Sequence, residues 1–300
     1  MRKLINLFWK TSLQEIYKTI ITQIKYFIKG KKIKNNNYTL DYVINNKQYM
    51  NTNVLIDRFE RYCRVIKHND PKYNLSINSF KDKNVLELGC GPLLGWGPIA
   101  LFLRALSFSY HEPANIPETI KSDEVKTQYF KRLFDELKSN YSGDDKFDKF
   151  YNTVMDNSIP ISFNKNRFVD FVLSNSVLEH IPKIKLELLL DNVSQLCVDK
   201  ALFLHAVDFG THGFLNMDLI KLYSIDRLKF TESKKTYNIN FLRKNDIADI
   251  LYSKGFISEL IIDYRFDEID STLVHSSWDK YSYEDLRARV VLYFGRYRIS

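Results

Sequence analysis

A short apolar run that leads directly into a glycine-rich turn constrains the fold of this chain more than any other stretch. Residues 84–98 read NVLELGCGPLLGWGP: the run NVLEL predicts a buried strand, and Gly89-Cys90-Gly91-Pro92 follows at once. Glycine is otherwise scarce, with 10 in 300 residues. Because glycines and a following helix N-terminus let backbone N–H groups approach a ligand closely, the turn predicts a binding site directly after a core strand.

Strand-like and helix-like segments alternate along the rest of the body. Short apolar runs predict strands, and amphipathic segments between them predict helices. Together with residues 84–88, the predicted strands are 107–113, 150–157, 168–174, 200–207, 256–264 and 289–295. Such alternation indicates an α/β fold with a mostly parallel sheet of about seven strands flanked by helices. In sheets of this kind, ligands bind beyond the carboxyl ends of the strands.

The N-terminal segment carries the whole charge excess of the chain. Residues 1–34 hold nine basic side chains and one acid, whereas the other residues hold 35 of each sign. Apolar residues in this arm are mostly three or four apart, as in an amphipathic helix. Interspersed lysines argue against a transmembrane span, and the arm lacks the apolar core and cleavage site of a signal peptide. The helix either packs on the body or a partner, or lies in a membrane interface.

The chain therefore divides into three regions. Residues 1–34 form the basic helical arm, and residues 35–78 form a helical N-terminal extension. Residues 79–300 form the main domain, with an insertion at 208–242 that is a natural lid or acceptor-binding element. Arg243 and Lys244 follow this insertion; they either contact an anionic group of the acceptor or form the solvated start of a helix.

The cysteine content predicts a reducing environment. Cys63, Cys90 and Cys197 are widely separated and odd in number, which argues against a disulfide framework or a closed zinc site. Glu179 and His180 are adjacent, so their side chains point apart on a helix, and a structural role is favoured over a metal pair. We expect a cytoplasmic protein without a metal, either free or at the inner face of the membrane.

Two residues narrow the class of ligand that the glycine turn could bind. A dinucleotide fingerprint needs a third glycine three residues after Gly91, but Leu94 occupies that position. Glu112 lies 21 residues after Gly91, at the end of the next predicted strand, where a carboxylate can accept both hydroxyls of a ribose. The pattern argues against a nicotinamide or flavin site and suggests another ribose-containing ligand.

The motifs together resemble a known superfamily. NVLELGCGP, YHEP and FVDFVLSNSVLEHIP occur in the order and approximate spacing of class I S-adenosylmethionine-dependent methyltransferases, over roughly residues 80–265. The resemblance implies a Rossmann-like methyltransferase fold with S-adenosyl-L-methionine as cofactor. A weaker likeness of LHAVDFGTHGF and YNINFLRKNDIADILYSKGF to a bacterial subgroup implies surface-sugar or other cell-envelope biosynthesis.

The resemblance also assigns cofactor-binding residues. Glu87, Gly89 and Gly91 would surround the methionine end of the cofactor, and Glu112 would hold the ribose. The residues placed near the adenine are Asp156 and Asn157, and those that line the floor beside the sulfonium are Ser174 and Asn175.

Candidate catalytic residues cluster after the strand that follows the cofactor floor. A hydroxyl acceptor benefits from a general base, and histidine is the usual choice. His205 or His212 would serve as base, with Asp208 orienting it. Alternatively, His205 is a buried strand residue bonded to backbone and His212 lies on a solvent-exposed loop.

Three kinds of function remain open on these features. The first is O-methylation of a small-molecule, glycan or lipid-linked acceptor. The second is RNA or protein methylation, although the neutral body offers no broad basic groove and argues against nucleic acid. The third is a cofactor-binding or scaffold protein of the same fold that has lost catalysis.

Overall fold

The computed structural model describes most of the chain outside the N-terminal arm. The described residues are 39–73, 75–113, 118–143, 146–163, 167–210, 222–228, 239–266 and 268–299. The predicted arm, residues 1–34, and most of the 208–242 insertion lie outside these ranges. No helix within the described ranges combines the length and the apolar content needed to cross a bilayer.

The described residues form one seven-stranded sheet. Its strands are β1 (Asn84–Leu88), β2 (Ser107–His111), β3 (Ser158–Pro160), β4 (Val169–Asn175), β5 (Cys197–Asp208), β6 (Phe256–Arg265) and β7 (Ala288–Tyr297). Their order is β3-β2-β1-β4-β5-β7-β6. All neighbouring pairs are parallel except those of β7 with β5 and β6. This mostly parallel sheet confirms the predicted Rossmann-like methyltransferase fold.

Helices flank the sheet. They are α1 (Leu40–Asn45), α2 (Thr52–Asn69), α3 (Gly97–Phe102), α4 (Asp123–Val125), α5 (Lys131–Asn140), α6 (Phe147–Asn157), α7 (Lys183–Leu196), α8 (Lys244–Ser253) and α9 (Tyr283–Arg287). A π-helical turn, Lys126–Phe130, joins α4 to α5.

Alternating strand residues divide the core between the two faces of the sheet. Val85 of β1 packs with the cluster that contains the buried side chains of α2, α3, α5 and α6. Leu86 and Leu88 pack with the buried side chains of α7 and α8 on the other face. This division follows from the two-residue period of a strand.

The prediction of a strand at residues 150–157 is wrong. This segment lies in α6, and only the short strand β3 follows it. Phe150, Tyr151 and Val154 are buried at helical spacing on one side of α6, against the α3 and α5 side chains. The apolar run is therefore the buried stripe of an amphipathic helix.

The ends of the central strands meet at one edge of the sheet. Leu88 of β1 pairs with His111 of β2 and with Ser174 of β4, and Ser174 pairs with His205 of β5. From β1 the chain continues outward to β2 and β3, and then crosses back to β4 on the other side of β1. The turn after β1 thus lies at a topological switch point, where ligands of such sheets bind.

Candidate functional site

The two glycines of the turn after β1 have different surroundings: Gly89 is closely packed, and Gly91 adjoins open space. Gly89 has a φ of +69°, its N–H donates to the His111 carbonyl at 2.8 Å, and an added Cβ would lie 2.4 Å from Val177 Cγ2. Gly91 has a φ of +66°, and a Cβ there would meet no atom within 4 Å. Gly89 is thus required for packing, whereas Gly91 leaves open space beside its backbone, where a ligand could approach closely.

Glu87 is a buried residue of β1 that stabilises the loop after this strand. Its side chain is buried, and its Oε2 accepts the Trp96 N–H at 2.8 Å. A Cβ on Gly95 would lie 2.3 Å from Glu87 Oε1, so the loop closes tightly over the carboxyl group. Burial, and to a lesser extent the charge of Glu112, raise the pKa of Glu87 to about 8. Glu87 therefore stabilises the loop from its buried side.

Glu112 contacts the glycine turn directly. The N–H of Gly91 donates to Glu112 Oε2 at 2.8 Å, although 21 residues separate them. Glu112 is half-buried directly after β2. A carboxylate and an accessible glycine backbone are thus held side by side at the switch point.

Helix α2 contributes to the site from outside the sheet. Tyr62 Oη donates to Asn175 Oδ1 at 2.9 Å, at the carboxyl end of β4. The indole N–H of Trp96, in the loop after β1, donates to the Leu55 carbonyl at 3.0 Å. Sequence reasoning predicted α2 but not this role, because its apolar stripe does not identify the surface it covers. Helix α2 therefore contacts both Asn175 and the loop after β1.

Ser174 and His205 do not line this site. Ser174 Oγ and His205 Nδ1 lie 2.8 Å apart, and both side chains are fully buried. His205 contacts Phe203 and Phe256 on the α7 and α8 side of the sheet. Burial lowers the pKa of His205 to about 3, so the imidazole is neutral at physiological pH. The prediction of His205 as an accessible base is corrected, as is that of Ser174 as a floor residue.

Asp208 does lie at the carboxyl edge, at the end of β5. Its side chain is partly exposed, its Oδ1 accepts the Gly210 N–H at 2.9 Å, and Arg289 Nε lies 3.9 Å away. The Asp208 N–H donates to Glu179 Oε1 at 3.3 Å. Glu179 is buried, and burial together with Asp208 raises its pKa to about 8. Of the two predicted catalytic residues that the structure describes, Asp208 is the one that is partly exposed at the carboxyl edge. His212 lies outside the described residues.

Asp156 and Asn157 lie away from the site. Both are exposed at the end of α6, immediately before β3 begins at Ser158. Ser158 pairs with Phe108 near the start of β2, so the two residues are at the amino edge of the sheet. The chain reaches the carboxyl edge only after Pro160. The assignment of Asp156 and Asn157 to the adenine is corrected, because it rested on the wrong strand prediction.

Arg243 is a structural residue at the base of the insertion. Its guanidinium is buried and donates to the carbonyls of Phe209, Leu286 and Ala288, the last at 2.6 Å. It also lies over the Phe209 ring, with 4.7 Å from Cζ to the centroid. Arg243 therefore joins the insertion to the end of β5 and the start of β7, and both of its predicted roles are wrong.

The described part of the chain contains no group of three or more His, Cys, Asp and Glu side chains that could hold a metal ion. His180 Nε2 and Glu179 Oε1 are 3.9 Å apart. The polar groups at the carboxyl edge of the central strands suit an organic ligand. They are the Gly91 backbone, the Glu112 carboxylate and the Asn175 carboxamide.

These features fit S-adenosylmethionine in one testable respect. The space beside Gly91 is open at the position where the resemblance places the methionine end, and Glu112 adjoins it where the ribose is expected. An alanine at position 91 would occupy part of that space. The residues present therefore fit the cofactor.

The sheet order and the switch-point site define a protein with the class I methyltransferase fold. No protein-family model matches the sequence, and no curated protein gives a significant match. Several solved structures are similar over most of the chain. One is an O-methyltransferase family protein from Burkholderia thailandensis, with 11% identity, a TM-score of 0.41 and coverage of 95% of this chain and 71% of that one.

Two other similar structures are methyltransferases by name. The N-methyltransferase NodS from Bradyrhizobium japonicum has 11% identity and a TM-score of 0.39 over 81% of this chain and 98% of its own. An S-adenosylmethionine-dependent methyltransferase from Mesorhizobium loti has 12% identity and a TM-score of 0.36 over 77% and 97%. At these identities and TM-scores the likenesses concern the fold alone, which the sheet order already defines.

Proposed function

We propose that the chain is an S-adenosylmethionine-dependent methyltransferase that methylates a hydroxyl of a small-molecule, glycan or lipid-linked acceptor. The observation that carries this proposal is the hydrogen bond from the Gly91 N–H to Glu112 Oε2 at the switch point. It joins the two elements that the sequence resemblance assigns to the methionine and ribose ends of the cofactor.

Each residue of the site has its own role in binding or aligning the cofactor. When bound, the cofactor supplies a methyl group activated by its sulfonium. Gly91 would admit the methionine portion, Glu112 would accept hydrogen bonds from the ribose hydroxyls, and Asn175 would bound the floor. Trp96 and Tyr62 hold these groups in place through their bonds to α2 and β4. Such alignment accounts for much of the rate in a group transfer.

Asp208 is the residue that we assign to the acceptor. Its carboxylate is partly exposed beyond β5, next to the strand that ends in Asn175. From this place it can accept a hydrogen bond from a hydroxyl and take up the proton as the methyl group is transferred. The contact of the Asp208 N–H with Glu179 fixes the backbone from which this side chain projects.

Calorimetry with S-adenosylmethionine tests the cofactor assignment. The wild-type chain should bind it, and Glu112→Gln should bind at least about tenfold more weakly, because a charged acceptor is lost. Glu187→Gln, which removes a carboxylate from α7 on the other face of the sheet, is the matched control and should bind normally. Absence of binding to the wild-type chain at millimolar cofactor would overturn the proposal.

The acceptor can be found with labelled cofactor and cell extract. Mass spectrometry should show a labelled small molecule, glycan or lipid, and Asp208→Asn should lose product formation while keeping cofactor affinity. Labelling of RNA or protein instead would contradict the acceptor class. We place the reaction in the cytoplasm, with the arm of residues 1–34 bringing the enzyme to the inner membrane face when the acceptor is lipid-linked.

A further inference from the structure

A pocket lies at the amino edge of the sheet, far from the candidate active site. Its volume is about 330 Å³, and its walls come from the starts of β5 and β6, the end of β7 and the segment after α2. Lys200 lines this pocket, whereas Asp208 of the same strand lies at the opposite edge. Eight residues at about 3.3 Å each separate them by roughly 26 Å. The pocket is therefore independent of the proposed methyl transfer.

Cations dominate the pocket. Lys200, Arg296 and Arg298 line it, with Asp199 as the one lining carboxylate. Among the described residues, none of the three cations forms an ion pair. Asp199 Oδ1 accepts the Ile299 N–H at 3.5 Å. Counted over the described lining residues, three cations and the Asp199 carboxylate give a formal charge of about +2.

The backbone holds these cations in defined places. Lys200 has a φ of +63°, a conformation that costs a non-glycine residue roughly 1 kcal/mol. In this conformation its carbonyl accepts from Arg296 Nη1 at 3.1 Å. The Arg298 N–H donates to the Gly255 carbonyl at 2.8 Å, and a Cβ on Gly255 would lie 2.7 Å from the Arg298 carbonyl oxygen. The backbone of Lys200 and that of Arg298 are therefore each held by a hydrogen bond to another segment of the chain.

We propose that this amino-edge pocket binds a phosphate ester. A phosphate monoester carries a charge of about −1.5 to −2 at pH 7, which matches the lining charge. Guanidinium groups donate to phosphate oxygens in a fork, and the ammonium of Lys200 adds a point charge. Tyr73 and Ile257 form apolar wall on which the esterified group can pack. A soluble metabolite and a lipid headgroup share this chemistry.

Phenyl phosphate is the soluble probe, and vesicles that contain phosphatidic acid are the lipid probe. The test variant is the full chain with Lys200→Gln and Arg298→Gln, since neither side chain forms a hydrogen bond or ion pair with another residue in the described part of the chain. Arg132→Gln removes an exposed cation from α5 and is the matched control. Thermal unfolding of all three proteins establishes that the fold is retained.

Saturable binding of phenyl phosphate to wild type and Arg132→Gln, at least about tenfold weaker in the double variant, would establish a site for a soluble ester. Vesicle binding that the double variant alone loses, without phenyl phosphate binding, would establish the lipid headgroup as the source. Absence of both, or equal binding by the double variant, would overturn the proposal.

Discussion

Gly91 and Gly97 lie in the same turn-helix unit but have different constraints. Gly91→Ala should lower the free energy of unfolding by only about 1 kcal/mol, the cost of its positive φ. It should nevertheless impair binding of S-adenosylmethionine, because the new Cβ projects into open space at the site. Denaturant unfolding and calorimetry measure the two effects.

Gly97→Ala is the complementary control for this prediction. Its Cβ would lie 2.3 Å from Phe108 Cε1 in the core, so it should destabilise the protein by about 2 kcal/mol or more. Cofactor affinity at a temperature where the variant is folded should stay near that of the wild type. Normal affinity in Gly91→Ala would show that the ligand does not approach this glycine.

His205 makes stability depend on pH in a defined direction. The buried imidazole has its pKa lowered to about 3, whereas in the unfolded chain it takes up a proton below pH about 6.5. The unfolded state therefore gains the proton first, and the free energy of unfolding falls as the pH drops below about 6.5. The loss should approach 3 kcal/mol near pH 4.5, by an order-of-magnitude estimate of about 1.4 kcal/mol per pH unit.

Urea unfolding of wild type and His205→Gln between pH 7 and pH 4.5 checks this prediction. The difference in stability between the two should shift in favour of the variant as the pH falls. A constant difference would mean that His205 is accessible and titrates normally in the folded protein.

Some of the site could be predicted residue by residue, and some could not. The position of Glu112 and Gly91 at the same edge of the sheet was predictable, because the ends of parallel strands share an edge. The 21-residue spacing between them fits one strand-helix-strand unit. The orientation of the Ser174 and His205 side chains was not predictable. Successive residues of a strand face opposite sides of the sheet, and the sequence does not identify the face that meets the ligand. Both side chains are fully buried, and His205 contacts Phe203 and Phe256 on the α7 and α8 side of the sheet.

At the level of elements, α2 is a structural part of the site. Tyr62→Phe should lower the free energy of unfolding by about 1 kcal/mol, because it removes the hydroxyl that donates to Asn175. It should also weaken cofactor binding, since Asn175 then loses its positioning partner. Calorimetry and chemical denaturation measure both changes.

Tyr293→Phe controls for the loss of a buried tyrosine hydroxyl. Tyr293 Oη donates to the Lys244 carbonyl at 2.8 Å on the other face of the sheet. This variant should be destabilised to a similar extent and bind the cofactor normally. If both variants bind equally well, α2 has only a structural role.

The sequence predicted most elements but not their partners. Hydrophobic spacing located the central strands, and residues 35–78 were predicted to be a helical extension. It failed at residues 150–157, where Phe150 and Tyr151 are adjacent and the run is short enough to suit either structure. It also could not show that Arg243 would be buried, since its carbonyl acceptors come from Phe209 and from the distant residues 285–288.

For the whole molecule, the separation of charge leads to a prediction about membranes. Deletion of residues 1–34 removes nine basic side chains and one acid, which takes the formal net charge from +8 to zero. If the arm lies in a membrane interface, the intact chain should float with anionic vesicles and the truncated chain should not, and added salt should weaken the interaction. Flotation that is unchanged by the deletion would contradict the membrane interpretation.

The ion pair between α2 and β6 joins two segments that are synthesised far apart in time. Arg61 Nη1 and Asp263 Oδ2 lie 2.6 Å apart although 202 residues separate them in sequence. Contacts between such distant segments form late, because a long loop must close first. The apolar face of α2 therefore emerges from the ribosome long before the strand that secures one end of it. Phe59 on this face packs on Phe80 and Trp96, which follow α2 closely in the sequence, so the helix can dock early and its ion pair to β6 is added later.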